Sequence, residues 1–174
     1  MLAQRRAVNL AAGLAGLAML GYALYSQYHD GLDPCPLCMF QRVGVAAMTV
    51  VFLSAAAQHP RAKGAYVYAG LIALTSLATI GVAARHVYIQ HEPPGSVPAC
   101  GAPLDVLLQM FSWTQVIVKV LRGGGECATV NWTFWGLAMP AWVLICAAIL
   151  GVLGVAANVR PERARRVETG NAPV

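Results

Sequence analysis

Two of the five cysteines stand three positions apart in the stretch DPCPLCMFQR, residues 33–42, with an arginine just beyond them at the mouth of a long apolar run. A Cys-x-x-Cys pair has two common uses: its sulfurs exchange between thiol and disulfide, or they hold a metal such as zinc. Zinc needs four ligands, usually with a second closely spaced pair. Here Cys100 and Cys127 are 27 positions apart, and Cys146 lies inside another apolar run, so no metal is expected. Pro34 and Pro36 suit an extended approach and the first turn of a helix. Cys35 and Cys38 then sit near the positive end of the helix dipole, where negative charge is favoured. Arg42 follows Cys38 by four residues, on the same face and about 6 Å deeper by helical rise. A guanidinium at that depth is costly unless it snorkels to headgroups or meets a partner. Gln41 is neutral and that face carries no acid, so the expected partner is a thiolate or an electron-rich carbonyl ligand. A thiolate beside a cation at the bilayer edge suits reduction of a lipid-soluble quinone, with the guanidinium stabilising charge that grows on the quinone oxygen.

The elements that must position these groups are membrane helices. The chain has 174 residues, 58% hydrophobic and 11% charged, against roughly 25% charged in a soluble domain. Four apolar segments, about 10–28, 39–57, 65–84 and 134–157, approach or exceed the roughly 20 residues that cross a bilayer. Pro140 is expected to kink the last of them near one end. Eight of the twelve Lys and Arg flank these segments: Arg5 and Arg6, Arg61 and Lys63, and Arg160, Arg163, Arg165 and Arg166. Under the positive-inside rule both termini are then cytoplasmic, with outer connections at about 29–38 and 87–133. The net charge of +5 is thereby read as topology rather than as a nucleic-acid surface. Five of the seven acids, Asp30, Asp33, Glu92, Asp105 and Glu126, fall on the outer side, in agreement with that assignment. The first segment reads as an uncleaved helix rather than a removed signal.

Within the outer connection, Leu104 to Leu121 carries polar residues Asp105, Gln109, Ser112, Gln115 and Lys119 every three or four positions. That spacing predicts one amphipathic helix lying along the membrane surface. Gly123, Gly124 and Gly125 after it would leave Cys127 mobile. The predicted architecture is an all-α membrane protein: residues 1–158 form one four-helix transmembrane bundle with a long outer loop, and 159–174 form a basic cytoplasmic tail. Four cysteines lie outside, where disulfides persist if the space is oxidising. Cys146 is expected only to pack among helices.

In combination, the four spans, CPLCMFQR, the loop cysteine Cys100, GGGEC ending at Cys127, and WTFWGLAMPAW closely resemble the DsbB family of quinone-linked membrane disulfide oxidoreductases. The resemblance covers nearly the whole chain. It implies that Cys35, Cys38, Cys100 and Cys127 are catalytic. Cys100 would form the mixed disulfide with a DsbA-like soluble partner, Cys127 would resolve it, and Cys38 would meet ubiquinone or menaquinone beside Arg42. It also implies residence in the bacterial inner membrane with the cysteines in the periplasm. Two positions depart from the pattern. Gln41 replaces an acid, and the family's histidine near the third span has two candidates, His86 and His91; His91 lies closer to the expected loop position and is taken as the quinone-side residue. The vitamin K epoxide reductase family also pairs Cys-x-x-Cys with a loop pair, but its loop pair comes first in the chain. A non-enzymatic tetraspan protein with structural disulfides would leave Arg42 in the membrane without a purpose.

Overall fold

The computed structural model describes residues 2–58, 60, 63–93 and 104–159. Cys100 and the expected tail from Arg160 lie outside the described residues. In chain order the elements are helices α1 (Leu2–His29), α2 (Pro36–Gln58) and α3 (Lys63–Gln90), three short helices α4 (Leu104–Met110), α5 (Trp113–Arg122) and α6 (Gly125–Ala128), strands β1 (Thr133–Phe134) and β2 (Leu137–Ala138), and helix α7 (Met139–Val159). Helices α1, α2, α3 and α7 are long and apolar enough to cross a membrane. Even α7, with 21 residues, reaches about 32 Å at 1.5 Å per residue, against a hydrocarbon core of about 30 Å. The molecule is an all-α membrane protein in which α1 packs on α2, α2 on α3, α3 on α7, and α7 closes back on α1.

Leu14, Leu17, Val50, Leu74, Leu77 and Val152 face outward, as they must where the surrounding solvent is lipid. Lipid gives helices no hydrophobic reason to associate, so close approach and internal hydrogen bonds hold the bundle. Glycine permits that approach at two seams: a Cβ on Gly44 of α2 would lie 2.5 Å from Thr79 Oγ1 of α3, and one on Gly151 of α7 would lie 2.7 Å from Ser76 Oγ of α3. Polar side chains are satisfied locally. Thr49, Thr75 and Thr79 donate to the carbonyls of Val45, Leu71 and Thr75, one turn back. Asn9 of α1 and Asn158 of α7, both buried, exchange amide hydrogen bonds of 3.3 and 3.0 Å, and Asn158 also donates to the Gly154 carbonyl at 2.8 Å.

The elements depart from the sequence reading at three places. The first three long helices are longer than 10–28, 39–57 and 65–84; the extra turns of α3 carry it to Gln90. The apolar letters at 134–138 are not the start of the last span. They form a hairpin with Thr133 opposite Ala138 and Phe134 opposite Leu137, because Trp135 and Gly136 take positive φ values of 50° and 76°, as a tight primed turn requires. Helix α7 therefore begins at Met139, and Pro140 sits in its first turn, where no backbone N–H is missed, instead of kinking it. The single helix expected over 104–121 is two. Phe111 turns into the core, the Ser112 N–H bonds Gln115 Oε1 at 3.3 Å to open α5, and Val116 and Val120 face inward.

The Asn9 and Asn158 pair generates a stability prediction. Asn158→Ala leaves one amide unpaired in an apolar bundle and should cost about 1–2 kcal/mol. The double variant with Asn9→Ala should cost less than the sum of the two single changes, measured by denaturation in mixed micelles. Simple additivity would mean that the two amides are not coupled.

Candidate active site

The site grows from the first turn of α2. Pro36 stands at the first helical position, and the Met39 N–H reaches back to the Cys35 carbonyl at 3.1 Å. Cys35 thus occupies the N-cap, and its sulfur does what a serine hydroxyl does there: it accepts the Cys38 backbone N–H, at 3.4 Å. The same turn brings the two free thiols to 3.1 Å. Cys35 is buried while Cys38 is only half-buried, so the two sulfurs of the motif have different access.

Cys127 comes to this turn from the other side. It lies on α6 and is buried in one apolar cluster with Cys35, Leu37, Ile89, Val116 and Val120. Polar contacts from α3 meet the segment on either side of the glycine run. Arg85 donates to the carbonyls of Leu121 and Arg122 at 2.8 and 3.3 Å, and His86 Nε2 meets the Cys127 carbonyl at 3.1 Å. Gly123 permits the turn between α5 and α6 with a φ of 82° while lying against Ile89.

His86 is the hub. Its ring is 2% exposed. A carbonyl can only accept, so Nε2 carries the proton; Nδ1 of the neutral ring then accepts from Gln41 Nε2 at 2.8 Å. Nε2 also lies 3.7 Å from Cys35 Sγ. The donor atoms of Cys35, His86 and Cys127 all fall within 4.8 Å of one another. That set has the soft donors a thiophilic cation would take, but only with its sulfurs ionised and withdrawn from disulfide exchange. The Cys127 thiol is pushed far above its ordinary range, first by its hydrogen bond to Cys35, then by burial and the charge on Cys35.

Arg42 lies beside Cys38 and solves its burial through α1. Nη1 donates to Gln27 Oε1, and Nη2 to the Ala23 carbonyl at 2.9 Å. The expected partner, a thiolate or a ligand carbonyl, is therefore not needed to compensate the charge, although the guanidinium keeps donors for one. A cavity of about 120 Å³ opens at this point, lined by Ser26, Cys38, Arg42 and His86, with apolar walls that include Met139 and Val143. The lining also holds Asp33, Glu126 and Thr129, so the cavity combines apolar walls with one cation, two acids and hydroxyl groups.

Of the residues expected from sequence, the structure brings Cys35, Cys38, Cys127 and Arg42 together. It does not bring His91. That residue lies past the end of α3, exposed, with Nδ1 on the Val87 carbonyl at 2.8 Å. His86 occupies the position expected for His91, because α3 continues to Gln90 and turns residue 86 inward. Cys146 is half-buried on α7, outside the cluster. Sequence reasoning missed Gln27 and Arg85, which act across helices, and Ser26, which lines the cavity.

Comparison with known proteins agrees with this geometry. The family model described as Disulfide bond formation protein DsbB matches residues 5–157. The chain belongs to the DsbB family. Among DsbB relatives called Disulfide bond formation protein B, that of Methylococcus capsulatus is 45% identical over 138 residues, covering 79% of this chain and 84% of the relative. That of Hahella chejuensis is 41% identical over 152 residues, covering 87% and 91%. The counterpart in Xanthomonas oryzae pv. oryzae is 40% identical over 159 residues, covering 91% and 92%. DsbB membership makes this multi-pass membrane protein a disulfide bond formation protein, and the three clustered sulfurs are the groups suited to that chemistry.

The raised Cys127 pKa has a readable sign: the thiol keeps its proton, and so stays poorly nucleophilic, through the range where an ordinary thiol ionises. In the reduced protein, maleimide labelling of Cys127 followed by mass spectrometry should still be climbing at the alkaline end of a pH series. Cys35→Ser replaces the sulfur that accepts from Cys127; at about pH 8 it should speed labelling roughly tenfold, the effect of one pKa unit on the thiolate fraction. An unchanged rate would leave burial as the sole cause.

Proposed function

We propose that the protein is a quinone-dependent disulfide oxidoreductase of the bacterial inner membrane. In this reading it reoxidises a DsbA-like periplasmic dithiol through Cys100 and Cys127, then through Cys35 and Cys38. This is the general route by which a quinone-linked system keeps a periplasm oxidising. The observation that carries the reading is the position of the Cys35 sulfur, 3.1 Å from Cys38 and within 4.8 Å of Cys127.

The chemistry is a sequence of exchanges, each breaking one S–S bond and forming another. A partner dithiol reduces the Cys100–Cys127 disulfide and leaves as a disulfide, with Cys100 as the sulfur it first joins. The Cys127 thiolate then attacks Cys35 of a Cys35–Cys38 disulfide. A Cys35–Cys127 bond forms and Cys38 departs as a thiolate. Attack by Cys100 on Cys127 restores the loop disulfide and frees Cys35, so the two electrons rest on the Cys35 and Cys38 pair. Oxidising Cys35 weakens the hydrogen-bond acceptor that holds the proton on Cys127. The attacking sulfur is thus released when its target is in the disulfide form. His86 holds the Cys127 carbonyl and so fixes the sulfur's approach.

Ubiquinone or menaquinone, when bound, would supply an acceptor for two electrons and two protons. Arg42 and Cys38 would hold it at the cavity. Arg42 orients a carbonyl oxygen, and its fixed charge favours electron density there. The apolar walls exclude water from the half-buried Cys38 sulfur. The cytoplasmic position of both termini rests on the flanking Arg and Lys clusters.

The test is quinone reduction by purified protein in detergent with reduced DsbA as donor. Turnover is expected in wild type and in Cys146→Ala, and none in Cys38→Ala. His86→Phe should lower turnover about tenfold or more, as small misplacements of reacting groups do, while His91→Ala should not. Absence of turnover with both ubiquinone and menaquinone in well-folded wild type would sink the oxidase reading and favour a protein whose cysteines only staple its loop. Equal loss from both histidine variants would restore His91 to the site.

A further inference from the structure

Among the described residues, one buried side-chain polar atom has no hydrogen-bond partner: the hydroxyl oxygen of Ser26. Ser26 is 2% exposed and lies within α1. Serine and threonine inside a helix commonly donate to the carbonyl one turn back, and Thr49, Thr75 and Thr79 do so in this molecule. Ser26 does not. Its backbone carbonyl is well used, accepting the Asp30 and Leu32 N–H groups at 3.2 and 3.3 Å, yet the hydroxyl is left facing elsewhere. Leaving a buried donor unmade is costly, so a native hydroxyl in that state points to a ligand.

Ser26 is one of the residues that line the cavity shared with Cys38, Arg42 and His86, with its hydroxyl oxygen tucked just behind the wall. The position on α1 is informative. Arg42 fastens to the Ala23 carbonyl and to the Gln27 side chain, and residues 23, 26 and 27 share one side of the helix. Ser26 and Arg42 therefore line the same stretch of cavity wall, and rotation of the serine side chain is enough to bring its hydroxyl to the opening. Two of the five guanidinium donors are spent on α1, leaving others available to an acceptor. An acceptor oxygen on a mostly apolar ring would meet a cation and a neutral hydroxyl donor together.

We propose that Ser26 is a binding residue for the quinone, donating its hydroxyl hydrogen bond to the carbonyl oxygen that Arg42 also engages. This inference rests on the quinone reading given above and adds a residue to it. The hydroxyl contributes affinity and orientation, and it takes no electron or proton in the reaction. In the free protein it carries a cost, so its removal does not weaken the fold.

The test uses the full-length protein in detergent and a short-chain ubiquinone as probe. Binding is read directly from quenching of intrinsic tryptophan fluorescence, since Trp132 lines the cavity; KM and kcat for the same quinone and thermal unfolding without it are measured in parallel. Ser26→Ala should raise the apparent Kd and KM roughly three- to tenfold, the worth of one neutral hydrogen bond. Its melting temperature should be equal to or above that of wild type. If Ser26→Ala folds poorly, Ser26→Thr against Ser26→Val reads the same quantity, because the pair differs by a hydroxyl at constant shape; Thr should bind more tightly by a similar factor. Equal quinone affinity with and without the hydroxyl, in a wild type that binds and reduces quinone, overturns the Ser26 assignment alone. A wild type that neither binds nor reduces the probe overturns the quinone reading and this assignment with it.

Discussion

The contact between His86 and the carbonyl of Cys127 is the constraint on which the arrangement of sulfurs depends. Cys127 belongs to the long connection between α3 and α7, and the apolar faces of Val116 and Val120 tie that connection to the bundle without fixing its height. Apolar packing tolerates sliding, whereas a hydrogen bond at 3.1 Å in a cluster from which water is excluded does not. Arg85, the preceding residue on α3, grips the end of α5. Two consecutive side chains thereby fix the segment that carries Cys127 against the helix that faces Cys35. Gln41 completes the device. As an amide it donates to Nδ1 and leaves the Nε2 proton for the carbonyl. That position thus holds an amide that reaches the His86 ring, with Arg42 compensated separately from α1.

The four long helices were legible because lipid imposes a simple demand: about 20 apolar residues, with charges pushed to the ends. The hairpin at 133–138 was not, since its letters are as apolar as a span and only positive φ at Trp135 and Gly136 distinguishes it. The break at Ser112 was hidden for a related reason. A polar stripe with helical spacing survives a two-residue interruption, and the decision rests on where Phe111 finds its packing.

At the site, spacing and the depth of Arg42 sufficed to single out Cys35, Cys38 and Arg42. Which of His86 and His91 joins the cluster turns on a helix boundary. The inward residues of α3, Ile72, Ser76, Thr79, Ala83, His86 and Ile89, recur every three or four positions, so extending the helix six residues past Ala84 would have turned His86 inward and carried His91 off the end. That signal was available in the sequence. The partners of Arg42 were not, because they depend on the relative height of α1 and α2, which no local pattern encodes. The unpaired Ser26 hydroxyl is likewise visible only once neighbouring helices show what it fails to meet.

The geometry also explains why the motif needs two sulfurs with unequal surroundings. Cys35 is buried, caps α2, and touches the groups on the Cys127 side; Cys38 is half-buried and shares a cavity wall with Arg42. If one sulfur served both the incoming thiol and the acceptor, both would have to occupy the same space, or one would have to leave before the other arrived. Dividing the work across one helical turn removes that conflict. The turn is rigid because the sulfur that must be attacked is itself the cap that starts the helix. In the proposed relay, electrons therefore move between two fixed environments, one shielded by apolar packing and one open to a membrane-soluble ligand, with displacement confined to the sulfur atoms and the short segment that His86 holds.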